Sequence, residues 1–356
     1  MAKIVLGIGT SHSPMLSMAK EQWGPYAQVD KLSREGGFVT PPDGQVMLYE
    51  ELEKFRRSQP IVATIDKMCR DEVFFDQWER AQVAIATLGK TLRDAKPDAV
   101  IIVSDDQDEL LFEDVMPSLG LYWGKTMRIV PRLETPGMPE AIRSALWGYG
   151  DVEMDVPVDH ELGAHLIHFL IEHDFDIAHS RYMKEETGGT IGPAGYVKNE
   201  RVTAPKRMGM PHGWAFVVRR LMDNNPFPIL PIFQNTCYPP NQPTPKRCYT
   251  LGQTIREAVE AWDSNKRVAI IGSGGLSHFV TDEEIDNIAL DAMKNKDAET
   301  LKNLPRHRVD SAASEIRNWV TTAGATEHLD FELLDYLPVY RTLAGTGGGW
   351  AFGRWQ

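Results

Sequence analysis

Polar side chains follow four apolar runs of this sequence, each at the point where the run ends. Because open α/β sheets bind ligands beyond the carboxyl ends of their strands, side chains that share this position predict one functional site. Each alone has an ordinary alternative, such as a solvated loop histidine or an aspartate that caps a helix. The residues at these four ends are His12, then Asp105, Asp106, Gln107 and Glu109, then Asn235, and finally Ser277 with His278.

Glu315 is a further candidate, because its spacing predicts an inward direction. Ala312, Glu315, Ile316 and Trp319 share one stripe of a predicted helix in VDSAASEIRNWVTTAGA. A carboxylate that faces a core needs a partner, since an unpaired buried charge is costly. The spacing leaves two partners open, a metal ion or an arginine such as Arg247 or Arg308.

Other histidines carry weaker signals. His212 opens a predicted helix after Pro211, where an imidazole can lie at a helix start without any function. His160, His165 and His168 are spaced five and three residues apart, without the HExxH pattern of a metal-binding helix. We expect structural or surface roles for His165 and His168.

Short β-rich runs alternate with longer helical patterns, which predicts an α/β fold. Strands are predicted at 3–9, 98–106, 127–132, 175–181, 227–235 and 267–275. Helices are predicted at 76–95, 160–173 and 251–262, where apolar residues recur every three to four positions. We expect a single large domain over residues 1–356, with a central, mostly parallel sheet flanked by helices. Residues 20–75 interrupt the alternation and predict an inserted helical lobe or lid.

The composition excludes several classes of protein. With 42% hydrophobic and 25% charged residues, the 356-residue chain fits a globular protein and not a disordered one. A net charge of -12 argues against a general surface for nucleic acid or anionic membrane. Three cysteines without CxxC spacing argue against a disulfide framework. With no secretory leader or membrane-spanning run at the start, these features predict a cytoplasmic protein.

The motifs together resemble those of the class III extradiol ring-cleavage dioxygenases, the family of the protocatechuate 4,5-dioxygenase catalytic β-subunit and of gallate dioxygenase. The resemblance runs in order over nearly the whole chain, excluding roughly residues 20–75. It rests on GIGTSHSP, PDAVIIVSDDQ, DHELGAHLIHFLIEHDFDIA, HG at 212–213, PTPKRC, IGSGGLSH and SEIRNW.

The resemblance implies a non-haem Fe(II) held by two histidines and one glutamate, which leaves positions open for a catecholate and O2. His12 matches the first histidine ligand and Glu315 matches the glutamate, so a metal replaces arginine as the expected partner of Glu315. His278 matches the acid/base histidine of the family. His212 matches a second catalytic histidine near the hydroxyl groups of the substrate.

One motif departs from the family pattern. Where the family reads Asn-Asp-His, this chain reads Asp105-Asp106-Gln107, which places Gln107 at the second histidine ligand. Three outcomes are open. Gln107 can bind the metal through its amide oxygen, or Asp105, Asp106 or Glu109 can supply a second carboxylate, or the metal is lost. A second carboxylate would favour harder ions such as Mn(II) or another divalent cation.

Three functions follow from this pattern. The first is an Fe(II)-dependent dioxygenase that cleaves a hydroxylated aromatic or heteroaromatic ring with O2. The second is a metal-dependent hydrolase, lyase or decarboxylase that acts on a related aromatic substrate, and the third is a non-enzymatic relative. The partners expected are a small aromatic substrate, O2 and a second copy of the chain. Because residues 20–75 can cap the site, we expect a homodimer without an obligatory small subunit.

Overall fold

The computed structural model describes residues 1–32, 38–40, 44–107, 109–111, 115–132, 134, 136–183, 209–310 and 313–356. Ala312, one position of the predicted stripe around Glu315, lies outside these residues, as does part of the predicted inserted lobe.

Thirteen strands form within the described residues. They are β1 (Lys3–Thr10), β2 (Phe38–Thr40), β3 (Gln45–Met47), β4 (Ala99–Ser104), β5 (Leu119–Tyr122), β6 (Thr126–Ile129), β7 (Met154–Pro157), β8 (Ala178–Ser180), β9 (Ile229–Gln234), β10 (Arg267–Ser273), β11 (His278–Val280), β12 (Phe331–Tyr340) and β13 (Thr346–Trp355).

Twelve α-helices accompany the strands in the same part of the chain. They are α1 (Trp23–Leu32), α2 (Tyr49–Arg57), α3 (Val62–Met68), α4 (Asp71–Ala95), α5 (Glu140–Ala145), α6 (His160–Glu172), α7 (His212–Phe216), α8 (Pro245–Ala261), α9 (Glu283–Lys294), α10 (Ala298–Lys302), α11 (Arg306–Val309) and α12 (Ile316–Ala325). No described helix is both long and apolar enough to cross a membrane.

Nine of the described strands form one mixed sheet. Its order is β11-β13-β1-β10-β4-β9-β5-β8, and β12 pairs with β13 from outside this path. The four central strands β1, β10, β4 and β9 run parallel, so their carboxyl ends meet at one edge. All residues of β4 and β9 are buried, as expected for inner parallel strands covered on both faces. The predicted α/β class is confirmed.

Helices pack closely on the central strands. Helices α8 and α12 pack against each other and against β1, and α4 also contacts β1 and β13. The approach of α12 requires glycine on β1, because a Cβ at Gly9 would lie 2.2 Å from the ring of Trp319. Strand β1, which ends two residues before His12, therefore packs directly against α12, the helix that follows Glu315.

The predicted lobe at 20–75 contains helices α1 to α3 and the two-stranded β2–β3 ribbon in its described part. Tyr49 and Leu52 of α2 bury with Val280 of β11 and with Ala344, which precedes β13. The lobe thus packs on the strand that begins at His278. Its function as a lid stays a prediction.

Two elements differ from the sequence prediction. The run at 127–132 forms strand β6, but β6 pairs only with β7 and lies outside the central sheet. Its residues alternate between exposed and buried, which suits a two-stranded ribbon. Glu315 is not inside a helix: it is the residue that precedes α12, and its backbone begins the turn.

Candidate active site

Five of the chemically active side chains lie together at the carboxyl edge of the central strands. His12 lies two residues beyond β1, and Asp105 follows β4 directly. His278 begins β11 shortly after β10, His212 is the first residue of α7, and Glu315 precedes α12. All are buried except His278, whose side chain is 16% exposed.

Glu315 links two of the histidines. Its Oε2 atom lies 3.6 Å from Nε2 of His12, and its Oε1 atom lies 3.0 Å from Nε2 of His278. The backbone nitrogen of Gly275 also donates to Oε2 at 2.5 Å. Although burial opposes ionisation, the two imidazoles hold the pKa of Glu315 well below its usual range. Glu315 is therefore a buried anion.

The arginines considered as partners of Glu315 lie elsewhere. Arg308 pairs with Asp282 and Glu284, and Arg247 donates to the backbone oxygen of Asp174. Among the described residues, imidazoles and not a guanidinium face the Glu315 carboxylate.

The imidazole of His12 is held in one orientation by Ser273. The Ser273 hydroxyl donates its single proton to the backbone oxygen of Gly213 at 2.8 Å. Its oxygen must therefore accept the hydrogen bond from Nδ1 of His12, which lies 3.0 Å away. Nδ1 of His12 therefore carries a proton, and Nε2 is the nitrogen with a free lone pair when the ring is neutral. This is the tautomer that a metal ligand needs.

His212 is held by Glu109, a side chain that is fully buried. The Nδ1 atom of His212 lies 2.6 Å from Oε2 of Glu109, and its backbone nitrogen donates to both carboxylate oxygens at 3.0 and 3.2 Å. Arg132 pairs with the same carboxylate. Burial disfavours protonation of His212, but the Glu109 charge outweighs it and raises the pKa of His212 to about 9. His212 and Arg132 together outweigh desolvation and lower the pKa of Glu109 to about 2.

Asp105 lies in this cluster and accepts hydrogen bonds from two side-chain amides. Asn318 donates to its Oδ1 atom at 3.1 Å, and Gln107 donates to its Oδ2 atom at 3.4 Å. The amide of Asn318 is oriented in turn by Gln234, which donates to its oxygen at 3.1 Å. Burial and the Glu315 charge raise the pKa of Asp105 to about 6, against the opposing effect of the nearby imidazoles.

The neighbouring polar residues of the two loops have other contacts. Asp106 accepts the backbone N–H groups of Glu109, Leu110 and Leu111 at 2.6 to 2.9 Å and so shapes its own loop. Asn235 exchanges hydrogen bonds with Tyr238 and Asn241 in the loop after β9. These hydrogen bonds do not reach the five clustered side chains, so a role of Asp106 or Asn235 in the site stays a prediction.

His278 has its two ring nitrogens in different surroundings. Nδ1 lies 3.2 Å from the backbone oxygen of Leu276, which can only accept, while Nε2 faces Glu315. Burial opposes protonation, but the Glu315 carboxylate raises the pKa of His278 to about 9.

Within the described residues, His12, Asp105 and His212 meet the geometric requirement for a shared metal ion. One ligand atom of each lies within 4.8 Å of the others. Of the five residues predicted as ligands or catalytic groups, His12, His212, His278 and Glu315 are brought together. The Gln107 side chain contacts the Asp105 carboxylate.

Four residues of the site were not identified from the sequence. Tyr149 donates to the backbone oxygen of His12 at 3.1 Å, and its ring packs edge-on against His212. Arg132, Ser273 and Asn318 act on Glu109, His12 and Asp105 as described above. Ser273 and Asn318 had a visible signal, since they lie within the quoted motifs IGSGGLSH and SEIRNW, and Arg132 ends the predicted strand at 127–132.

Comparison with known proteins agrees with this geometry. Residues 75–347 match the family model described as the catalytic LigB subunit of aromatic ring-opening dioxygenase. The chain belongs to this family. The matched range includes Asp105, Glu109, His212, His278 and Glu315, and it begins after His12.

Individual relatives of the LigB family are distant. A 2,3-dihydroxyphenylpropionate/2,3-dihydroxicinnamic acid 1,2-dioxygenase of Xanthobacter autotrophicus is 26% identical over 187 residues, covering 51% of this chain and 44% of the relative. An enzyme of the same name from Rhodococcus jostii is 32% identical over 145 residues, covering 38% and 45%. A gallate dioxygenase of Pseudomonas putida is 49% identical over 41 residues, 12% of each chain. The matches span less than half the length of these relatives.

A solved structure of an uncharacterized protein from Escherichia coli K12 aligns with this chain, and the alignment covers 77% of this chain and 91% of the chain in that structure. The TM-score is 0.42, with 11% sequence identity.

Proposed function

We propose that this protein is a metal-dependent dioxygenase that uses Fe(II) and O2 to open a hydroxylated aromatic ring. The observation that carries the proposal is the buried cluster of imidazoles and carboxylates at the carboxyl edge of the sheet, in a chain of the LigB family. The named relatives act on dihydroxyphenylpropionate, dihydroxycinnamate and gallate. We therefore expect a catechol-type acid as the substrate class.

The donor set fits a divalent metal ion. His12 offers Nε2, and Asp105 and Glu315 offer carboxylate oxygens, a mixture that suits Fe(II) or Mn(II). Asp105 and Glu315 are both buried, and within the part of the chain that the structure describes neither pairs with a lysine or an arginine. A bound cation would compensate these charges and would supply the positions at which the substrate and O2 meet.

We propose Asp105, and not the predicted Gln107, as the donor after β4. Asp105 lies with His12 and His212 in the group of mutually close ligand atoms, whereas Gln107 donates its amide hydrogen to Asp105. A carboxylate is also the stronger ligand of the two for a divalent cation, since it carries charge. Gln107 then contacts the Asp105 carboxylate without being a ligand itself.

His278 is the proton carrier in this proposal. Its Nδ1 proton is retained by the Leu276 carbonyl, so Nε2 is the atom that exchanges protons with a substrate hydroxyl. The Glu315 carboxylate, 3.0 Å from Nε2, stabilises the imidazolium that forms. The partial exposure of His278 gives the substrate access to this atom, while the imidazole of His12 is buried and packs edge-on against the ring of Phe216.

Anaerobic reconstitution with Fe(II), followed by oxygen uptake, tests the proposal. The substrates are gallate, protocatechuate, 2,3-dihydroxyphenylpropionate and catechol. We expect uptake with at least one acid, with ring opening visible as a new absorbance band, and loss of turnover in His278→Ala at unchanged iron content. Stoichiometric iron with no oxygen uptake on the whole panel would contradict the proposal.

A second candidate function is favoured by Asp105 itself. Two carboxylates at one site favour harder ions such as Mn(II) or Mg(II), which serve as Lewis acids in hydrolases, lyases and decarboxylases. Turnover of an aromatic acid that persists without O2, in the presence of Mg(II) or Mn(II), would select this candidate over the dioxygenase.

A further inference from the structure

Because Gln107 stands where the family pattern has a histidine, the site lacks one imidazole of that pattern. A second imidazole, that of His212, lies beside His12. The rings of His12 and His212 are 4.6 Å apart between centroids and nearly perpendicular. A ligand nitrogen of each lies within 4.8 Å of the other and of an Asp105 oxygen. Two nitrogens and one carboxylate oxygen can therefore converge on one ion.

Glu109 fixes His212 as a metal-binding protein fixes a ligand histidine. Such histidines almost always donate one ring N–H to a carboxylate or carbonyl, which sets the tautomer and leaves the other nitrogen for the metal. The carboxylate of Glu109 accepts hydrogen bonds from Nδ1 and from the backbone N–H of His212. Arg132 holds that carboxylate from its other side, so Glu109 stays an acceptor.

The same tautomer is imposed on both rings of the pair. Ser273 accepts from Nδ1 of His12, and Glu109 accepts from Nδ1 of His212, which leaves Nε2 of each ring to act as a ligand. His278 differs, because its Nε2 atom lies 3.0 Å from Glu315 and its side chain is 16% exposed. Its surroundings suit a proton carrier better than a ligand.

Given the metal dependence proposed above, we infer that His212 is the second imidazole ligand of this site, oriented by Glu109, and that it replaces the ligand lost at Gln107. The sequence resemblance assigned His212 to catalysis. The geometry assigns proton transfer to His278 alone and gives His212 to the metal.

Mn(II) binding to the metal-free protein tests this assignment without using turnover. Affinity is measured by the loss of the free-ion EPR signal on titration, for the wild type and for His212→Asn, His278→Asn, Glu109→Gln and Gln107→Ala. We expect His212→Asn to weaken binding at least a hundredfold, and Glu109→Gln by about tenfold to a hundredfold. His278→Asn and Gln107→Ala should stay within about threefold of the wild type.

His278→Asn is the matched control, since it removes a neighbouring imidazole from the same cluster. Melting curves without metal show whether each variant is folded. If His212→Asn does not fold, pulsed EPR of the Mn(II) wild type decides, because two coupled imidazole nitrogens are expected where His12 alone would give one. A single coupled nitrogen, or equal affinity of wild type and His212→Asn, overturns the inference and leaves the metal dependence intact. A wild type that binds neither Mn(II) nor Fe(II) overturns both.

Discussion

The carboxylate of Asp286 holds Ser277 by two hydrogen bonds of 2.7 Å, one from its backbone nitrogen and one from its hydroxyl. Tyr336 donates to the same carboxylate at 2.8 Å, so α9 and β12 both fix the residue that precedes His278. A Cβ at Gly349 would lie 1.8 Å from Asp286, which leaves the carboxylate no room to shift in that direction. A buried acid of α9, the next element along the chain, thus fixes the residue that precedes His278.

The first prediction concerns this buried acid and pH. Burial raises the pKa of Asp286 from 3.8 to about 7 against the opposing hydrogen bonds of Ser277 and Tyr336. The folded state therefore binds the proton more tightly than the unfolded state, so this contribution to stability is present below pH 4 and lost as the pH rises through 7. Urea unfolding between pH 4 and 8 should show a smaller decline for Asp286→Asn than for the wild type. Asp94→Asn, on the exposed face of α4, is the control, and equal slopes for Asp286→Asn and wild type would contradict the prediction.

The second prediction concerns the glycine that follows His212. A Cβ at Gly213 would lie 2.0 Å from the Ser104 hydroxyl and 3.2 Å from Cε1 of His12. We expect Gly213→Ala to lower the free energy of unfolding by about 1–3 kcal/mol, the usual cost of overpacking, and to weaken Mn(II) binding because the His12 ring is displaced. Gly120→Ala is the control, since its nearest contacts would be ordinary ones at 3.6 Å. Equal melting temperatures and equal affinities for the two variants would show that the site tolerates the added atom.

The fold was predictable because its strands carry a strong signal. Nearly continuous apolar runs such as 99–104 and 229–234 predict inner strands of a covered sheet, and both form such strands. The run around Met127 predicts a strand equally well, but the strand with which it pairs lies about thirty residues further along the chain. Sequence periodicity does not specify which strand pairs with which, and so it could not place β6 outside the sheet.

The site was predictable only in part, for a geometric reason. His12 and His278 were found because strand ends of a parallel sheet converge at one edge. Which of Asp105, Asp106 and Glu109 lies close enough to His12 to share an ion could not be decided, because nearby loop residues point in different directions. Tyr149 comes from a distant segment and carries no local motif. The homodimer and the absence of an obligatory small subunit stay predictions that a mass measurement in solution would check.

The third prediction concerns the ion pair that ties the inserted lobe to the sheet. Asp30 of α1 receives two hydrogen bonds from the guanidinium of Arg341, at 2.6 and 2.9 Å, and one from Thr346, all buried. Removing one partner of a buried pair leaves an uncompensated charge, so Arg341→Met should cost about 3–5 kcal/mol of stability. Lys90→Ala, which breaks an exposed pair on α4, should stay within about 0.5 kcal/mol. Denaturant titration measures both.

Limited proteolysis gives the same prediction a local readout. In Arg341→Met we expect cleavage within residues 20–75 to accelerate more than cleavage elsewhere, because the lobe loses its buried anchor. Uniform acceleration along the chain would show that the pair stabilises the domain as a whole and does not act on the lobe.

The fourth prediction concerns the hydroxyl that sets the tautomer of His12. Ser273→Ala removes the acceptor of the Nδ1 proton, so the ring can rotate and Nε2 is no longer held toward the metal. Loss of such a support typically weakens metal binding about tenfold to a hundredfold, and we expect that loss for Mn(II). Ser104→Ala is the matched control, because it removes a buried hydroxyl that donates to the backbone oxygen of Ser273 and makes no hydrogen bond to His12. Each change should cost about 1 kcal/mol of stability, so the two variants separate only in Mn(II) affinity. If they bind Mn(II) equally well, the hydroxyl of Ser273 serves packing and does not orient His12.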